Sequence, residues 1–229
     1  MSLSFTSPTA LLLIDNQKGF AVDPNTPSHW GTQRSNPSLE KNISQLITAF
    51  RAAKAKTPTQ SLEIVHVFHS STLPDSPLHP SANNGINIQP LDFATPASDG
   101  SESVFWKNVN SAFIGTGLDI YLRSRKIRQL IVAGITTDHC VSTSVRMAAN
   151  LNVVDRFPDG MPVLGANGTL ERPVAVDKGR IVLVGDATAT WAKGGFDAET
   201  VHAVTLASLD GEFADVLETD EVLKALNGL

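Results

Sequence analysis

Leu130-Ile-Val-Ala-Gly-Ile-Thr-Thr-Asp-His-Cys140-Val-Ser-Thr-Ser-Val-Arg-Met-Ala-Ala149 runs from a buried-strand pattern straight into a helix pattern, and the only cysteine of the chain sits at the join. Leu130 to Ala133 is a short apolar run closed by Gly134, as a central parallel strand requires, and Val141, Val145 and Ala148 then recur at helical spacing. Cys140 therefore stands at a helix N-terminus, where unpaired N–H groups and the positive end of the helix dipole favour a thiolate over a thiol. Free cysteines are also among the most buried residues, so the position alone fits a nucleophile and a packed core thiol equally well.

The same strand signature recurs on both sides of this stretch. Ala10-Leu-Leu-Leu-Ile-Asp15 is an apolar run ending in a carboxylate, Leu62-Glu-Ile-Val-His-Val-Phe-His69 is rich in β formers, Ser103-Val-Phe-Trp-Lys107 ends in a cation, and Ile181-Val-Leu-Val-Gly-Asp186 repeats the buried pattern. Helices are expected between the strands. Leu39, Ile43, Leu46, Ile47 and Phe50 form one stripe behind Asn36-Pro37 as cap and first residue, ending near Ala55; Asn110 to Arg125 forms a second helix. Asp197 caps a helix to about Gly211, and Thr219 caps a short last one. Strands near 10–15, 62–69, 103–107, 130–135 and 181–186 alternating with helices imply a parallel sheet covered on both faces, in one domain spanning residues 1–229.

Two segments stand outside this alternation. Residues 70–100 are irregular and rich in Pro, Ser, Asn, Asp and Gly, the composition of a lid, a binding loop or a partner contact. Residues 152–180 carry a turn signal at Gly165-Ala-Asn-Gly168 and read as an inserted hairpin arm.

With 229 residues and 41% hydrophobic content the chain buries a full core, and its net charge of −5 offers no basic field for nucleic acid or an anionic membrane. No apolar run approaches a membrane span and the first residues lack a leader pattern, so a cytoplasmic location is expected. No glycine-rich phosphate loop follows any strand, which removes support for a nucleotide cofactor. His66 and His69 are three apart and fall on opposite faces of a strand, poor geometry for one metal ion. Neither metal nor cofactor is expected.

A doubly wound sheet gathers the C-terminal ends of its strands along one edge, where ligands bind. That edge collects Asp15, Lys107 and Cys140, which together make a nucleophile, a base to take its proton, and a cation to hold the carboxylate and favour the thiolate. Phe20, His29, Trp30, His69, Phe105, Trp106, Trp191 and Phe196 lie near the predicted edge loops and are candidates to line a pocket for a small molecule, with His69 able to donate a hydrogen bond.

Leu12-Leu-Ile-Asp-Asn-Gln17, Phe105-Trp-Lys107 and Val132-Ala-Gly-Ile-Thr-Thr-Asp-His-Cys-Val-Ser-Thr-Ser144 resemble the three signature blocks of the isochorismatase-like cysteine hydrolase superfamily. The resemblance covers residues 8–151 and resumes at 181–212. It implies a three-layer α-β-α sandwich on a five- or six-stranded parallel sheet, an Asp15-Lys107-Cys140 triad, a cis Ile135-Thr136 peptide, and an oxyanion hole from the N–H groups of Thr136 and Cys140. It also implies a homo-oligomer, a dimer or tetramer. The sequence departs from the family pattern at 152–180, which is longer than the usual link, and it lacks the Asp-x-His and Trp-Pro-x-His-Cys segments of the nicotinamidase branch, which disfavours nicotinamide. Three functions remain open: an amidohydrolase acting through a thioester on Cys140, a vinyl ether hydrolase of the isochorismatase type that needs no thiol, and a binding scaffold without catalysis.

Overall fold

Each apolar run becomes a strand of a single parallel sheet in the computed structural model, which describes residues 3–22, 28–31 and 33–229. The strands are β1 (Thr9–Ile14), β2 (Leu62–His69), β3 (Ser103–Lys107), β4 (Gln129–Ile135), β5 (Arg180–Ala189) and β6 (Asp215–Leu217). Their order is β3-β2-β1-β4-β5-β6, every pair parallel. The helices are α1 (Leu39–Lys56), α2 (Leu118–Ser124), α3 (Ser142–Asn150), α4 (Ala198–Leu209) and α5 (Thr219–Leu226).

The period of two in each strand divides the core. Leu11, Leu13, Ile64, Ile131 and Val182 face α1 and α5, whereas Ala10, Leu12, Ile14, Val65, Leu130 and Val132 face α2, α3 and α4. Both faces of β1 and β4 are buried, which is why their sequences are apolar without alternation. Each Leu or Ile buried this way stabilises the fold by roughly 1.5–3 kcal/mol.

Several element boundaries differ from the sequence reading, each for a local reason. Asn36 is not the cap of α1: its backbone is left-handed (φ 48°), and its amide donates to the carbonyls of Asp186 and Thr188 at 2.6 and 2.8 Å, so Ser38 precedes the helix instead. The helix expected over 110–125 shrinks to α2, because Gly115 takes φ 72° and Thr116 Oγ1 accepts from the N–H of Leu118 where the helix begins. β5 does not stop at Asp186 but continues to Ala189 past an irregularity opposite Val132 and Gly134. Glu218 rather than Thr219 caps α5, in a reciprocal box with Glu221. β6 was too short for any periodic signal. Asp197 caps α4 as its side chain suggests, accepting from Thr200.

The 70–100 segment is fastened to the exit of β1 by backbone bonds from Lys18, Gly19 and Leu91 to Gln89, Asn87 and Asn16. Residues 152–180 cross over themselves at Arg156 and Asp177 and again at Leu164 and Leu170, with the turn closed by a 2.8 Å bond from Gly165 N–H to Thr169 O. Among the described residues no helix is long and apolar enough to cross a membrane.

Candidate active site

In this strand order the chain reverses direction across the sheet between β1 and β4, and the connections leaving their C-terminal ends go to opposite faces, leaving a crevice. Asp15 follows β1 and Cys140 follows β4. The two strands approach closely because position 134 has no side chain: Gly134 pairs with Ile14 at φ 133°, and a Cβ there would fall 2.0 Å from the Ile14 carbonyl oxygen. Asp15 adopts a left-handed φ of 53°, and its carboxyl is wholly buried. The Ile135–Thr136 peptide is cis. Thr137–Val141 then forms one wide turn, with the N–H groups of His139 and Val141 on the Thr136 carbonyl, and α3 continues from it.

Lys107 arrives from farther away. β3 is separated from β1 by β2, so at about 4.8 Å per strand the side chain must span nearly two strand spacings. It does so across the end of β2, passing His69, its register partner. Its ammonium donates to Asp15 Oδ2 at 2.7 Å, His69 Nδ1 at 3.0 Å and Cys140 Sγ at 3.3 Å. Those three acceptors match the three protons of an ammonium. Asp15, His69 and Cys140 each offer one metal-ligating atom, all within 4.8 Å of one another, and the Lys107 nitrogen occupies the centre of that group.

Electrostatics set the resting states. Burial first, and then the Asp15 carboxylate, push the Cys140 thiol well above its ordinary value, with Lys107 pulling the other way. Cys140 is only 7% exposed, and that burial works against the thiolate that a helix N-terminus favours. Burial and Lys107 hold the His69 ring below its usual range, so it is neutral. An ammonium cannot accept a hydrogen bond, so His69 Nδ1 must, which leaves the ring proton on Nε2.

Above Cys140 lies a cavity of about 410 Å³ lined by Phe20, Trp30, His69, Leu73, Leu78, Asn108, Asn110, Thr136 and His139, with hydroxyls from Ser71, Thr72 and Ser76. Phe20 and Trp30 stack at 4.8 Å, and Trp30 is anchored by its indole N–H on the Gly19 carbonyl. The other aromatic candidates lie elsewhere. Trp191 is core, backing Phe20 at 6.1 Å; Phe105 packs edge-on against Tyr121; Trp106 covers Phe68 with half its surface exposed; Phe196 is exposed; His29 meets the edge of Trp30. Strand alternation explains Trp106, since a side chain next to Lys107 faces away from it; Phe105 shares the face of Lys107 but lies two residues back from the strand end.

Residues that the sequence reading passed over hold this centre in shape. Gln17, fully buried, donates to the carbonyls of His69 and Ile88 and accepts from the His69 N–H at 2.8 Å, fixing the end of β2 against the 70–100 segment. Asp138, in the turn before Cys140, accepts from Thr190 Oγ1 at 2.5 Å and from Lys193. Thr137 bonds His202 of α4 at 2.9 Å. The signal for Thr137 and Asp138 was present as a polar run, Thr136 to His139, inside an apolar frame.

Comparison with known proteins agrees with this layout. Residues 9–221 match the family model described as Isochorismatase domain. The chain is 31% identical over 219 residues to the isochorismatase-family protein YrdC of Bacillus subtilis, covering 93% of this chain and 94% of that one. An isochorismatase-family structure from Chromobacterium violaceum is similar at 31% identity and a TM-score of 0.76, covering 100% and 99% of the two chains. A cysteine hydrolase from Pseudomonas syringae pv. phaseolicola shares the fold at 20% identity, a TM-score of 0.69, and 96% and 93% coverage.

Proposed function

The chain belongs to the isochorismatase family, and from that premise we propose that it is a hydrolase of small molecules that opens a C–N bond, of amide or carbamoyl type, with Cys140 as nucleophile. One observation carries this reading: a buried ammonium joins a buried carboxylate to the thiol at the floor of a cavity at the switch point of the sheet.

As Sγ bonds to the carbonyl carbon, its proton passes to Asp15, whose Oδ1 is buried without a hydrogen-bond partner and so is available to receive it. Lys107 stays charged and holds the carboxylate. The developing oxyanion is met by the N–H groups of Thr136 and Cys140; one such donor contributes roughly 3–4 kcal/mol in comparable sites. Asp15 then delivers the proton to the departing nitrogen, leaving a thioester. Water attacks the thioester while Asp15 takes its proton, the acid is released, and the proton returns to sulfur. A thiol that rests protonated suits this cycle, because the proton needed by the leaving group is already in place.

The test is a screen of primary amides and carbamoyl compounds with trapping by hydroxylamine. Cys140→Ala is expected to lose hydroxamate formation and at least about 10⁴-fold in kcat, and Asp15→Asn about 10²–10⁴-fold. Pyruvate release from isochorismate that survives Cys140→Ala but not Asp15→Asn would replace this reading with vinyl ether hydrolysis.

We also propose that the chain works as a homo-oligomer. The support is apolar surface: Val204, 65% exposed on α4, and Met161, Val163, Leu164 and Leu170 on the 152–180 segment.

A further inference from the structure

We propose that this cavity selects an uncharged substrate, and that His69 orients it by donating Nε2–H to an acceptor atom of that substrate. The proposal rests on Cys140 being the nucleophile and adds the chemistry of what it attacks.

The charge inventory is short. Among the described residues, the lining of the cavity above Cys140 holds no Asp, Glu, Lys or Arg. Of the undescribed residues 1–2, 23–27 and 32, only Asp23 has a charged side chain, and it is an acid. At the floor, the positive charge of Lys107 is matched by Asp15 at 2.7 Å, and its three protons are already directed at Asp15, His69 and Cys140. His139 Nε2 lies 3.5 Å from Asp138 Oδ2, on the side of the turn that Lys193 also meets. Among the described residues, a carboxylate drawn into this cavity would lose its water with no cation to meet it, and an ammonium would meet no free anion.

What the cavity does offer is neutral and directional. His69 must accept from Lys107 through Nδ1, which fixes the donor on Nε2, and Nε2 has no hydrogen-bond partner among the described residues. Thr136 Oγ1 is buried without a partner beside it, and Asn108 and Asn110 add amide groups. The stacked Phe20 and Trp30 supply a flat apolar wall. Donors with a fixed direction and an aromatic wall recognise a compact, uncharged carbonyl compound.

Iodoacetamide and iodoacetate differ in charge and little in size, and both react in the same way: the thiolate displaces iodide to form a thioether, and the thiol proton passes to Asp15 or water. Alkylation of Cys140 in the intact chain, followed by mass and normalised to free cysteine under the same mildly alkaline conditions, is expected to favour iodoacetamide by about tenfold or more, the ratio that one unpaired buried charge readily exceeds. In His69→Asn the side-chain oxygen keeps an acceptor for Lys107 but no donor remains at the Nε2 position, so the normalised rate with iodoacetamide is expected to fall about threefold to tenfold. His69→Gln, whose amide N–H reaches that position, is expected to recover part of that rate. Equal normalised rates for the two reagents in the unaltered chain would overturn the proposal, as would an iodoacetamide rate unchanged in His69→Asn. An iodoacetamide rate in His69→Gln as low as that in His69→Asn would assign the effect to the Lys107 contact and overturn the donor role. If neither reagent modifies Cys140 in the folded chain while both do after unfolding, the nucleophile reading itself fails and takes this one with it.

Discussion

Gly134 shows how one missing atom sets the reactive geometry. The sequence reading treats it as the end of a strand, whereas its structural duty is to let the backbone of β4 lie against the Ile14 carbonyl so that Asp15 and Cys140 share one crevice. Gly134→Ala must push a backbone oxygen aside and also hold an alanine at φ 133°. Two penalties at one site are expected to destabilise the fold by about 3 kcal/mol or more, read as a lower midpoint in urea unfolding with unchanged slope. Asp15, Lys107 and Cys140 were legible because their residue types at strand ends form a chemically complete set. His69 as an acceptor for Lys107 was not, since that contact depends on Lys107 crossing β2.

At the scale of elements, Glu102 ties three of them together. It accepts from Arg51 of α1 at 2.6 Å, from His66 of β2 at 2.9 Å and from the Ala97 N–H at 3.0 Å, just ahead of β3. Despite burial, which alone would raise it, these partners bring its pKa from 4.5 down to about 2. A carboxyl depressed in the folded state adds stability that is fully present above the unfolded value and is lost as pH falls through the folded one. Stability is therefore expected to decline from about pH 4.5 toward 2, and Glu102→Gln should flatten that limb while costing about 2 kcal/mol at neutral pH, measured by urea melts across the acid range. The long apolar runs of β1, β2, β4 and β5 made these strands readable, and the stripe on α1 did the same for that helix. The three residues of β6, and the glycines that trim α2, have no periodicity to read, and their boundaries come from tertiary bonds.

For the molecule as a whole, the doubly wound order explains why one edge holds all the chemistry: Asp15 and Cys140 flank the reversal point, and Lys107 reaches them from the rim of the sheet. The opposite loops and α4 are left free for contacts. Sedimentation at micromolar concentration is expected to give a mass of two or four chains. Val204→Asp, or charges placed at Leu164 and Leu170, should shift it toward one; a single-chain mass for the unmodified protein would remove the homo-oligomer.

Among the described residues β3 is an edge strand, bonded only to β2, yet it carries the cation that meets Asp15 and Cys140. If that strand lifts away, Asp15 and Cys140 remain on the inner strands, but the carboxylate faces the thiol with no ammonium between them, and the sulfur becomes a still weaker acid. Catalysis therefore requires complete assembly of the sheet. A chain folded except for β3 holds a buried thiol with no ammonium beside it, so recovery of turnover during refolding becomes a clock for the docking of the outermost strand.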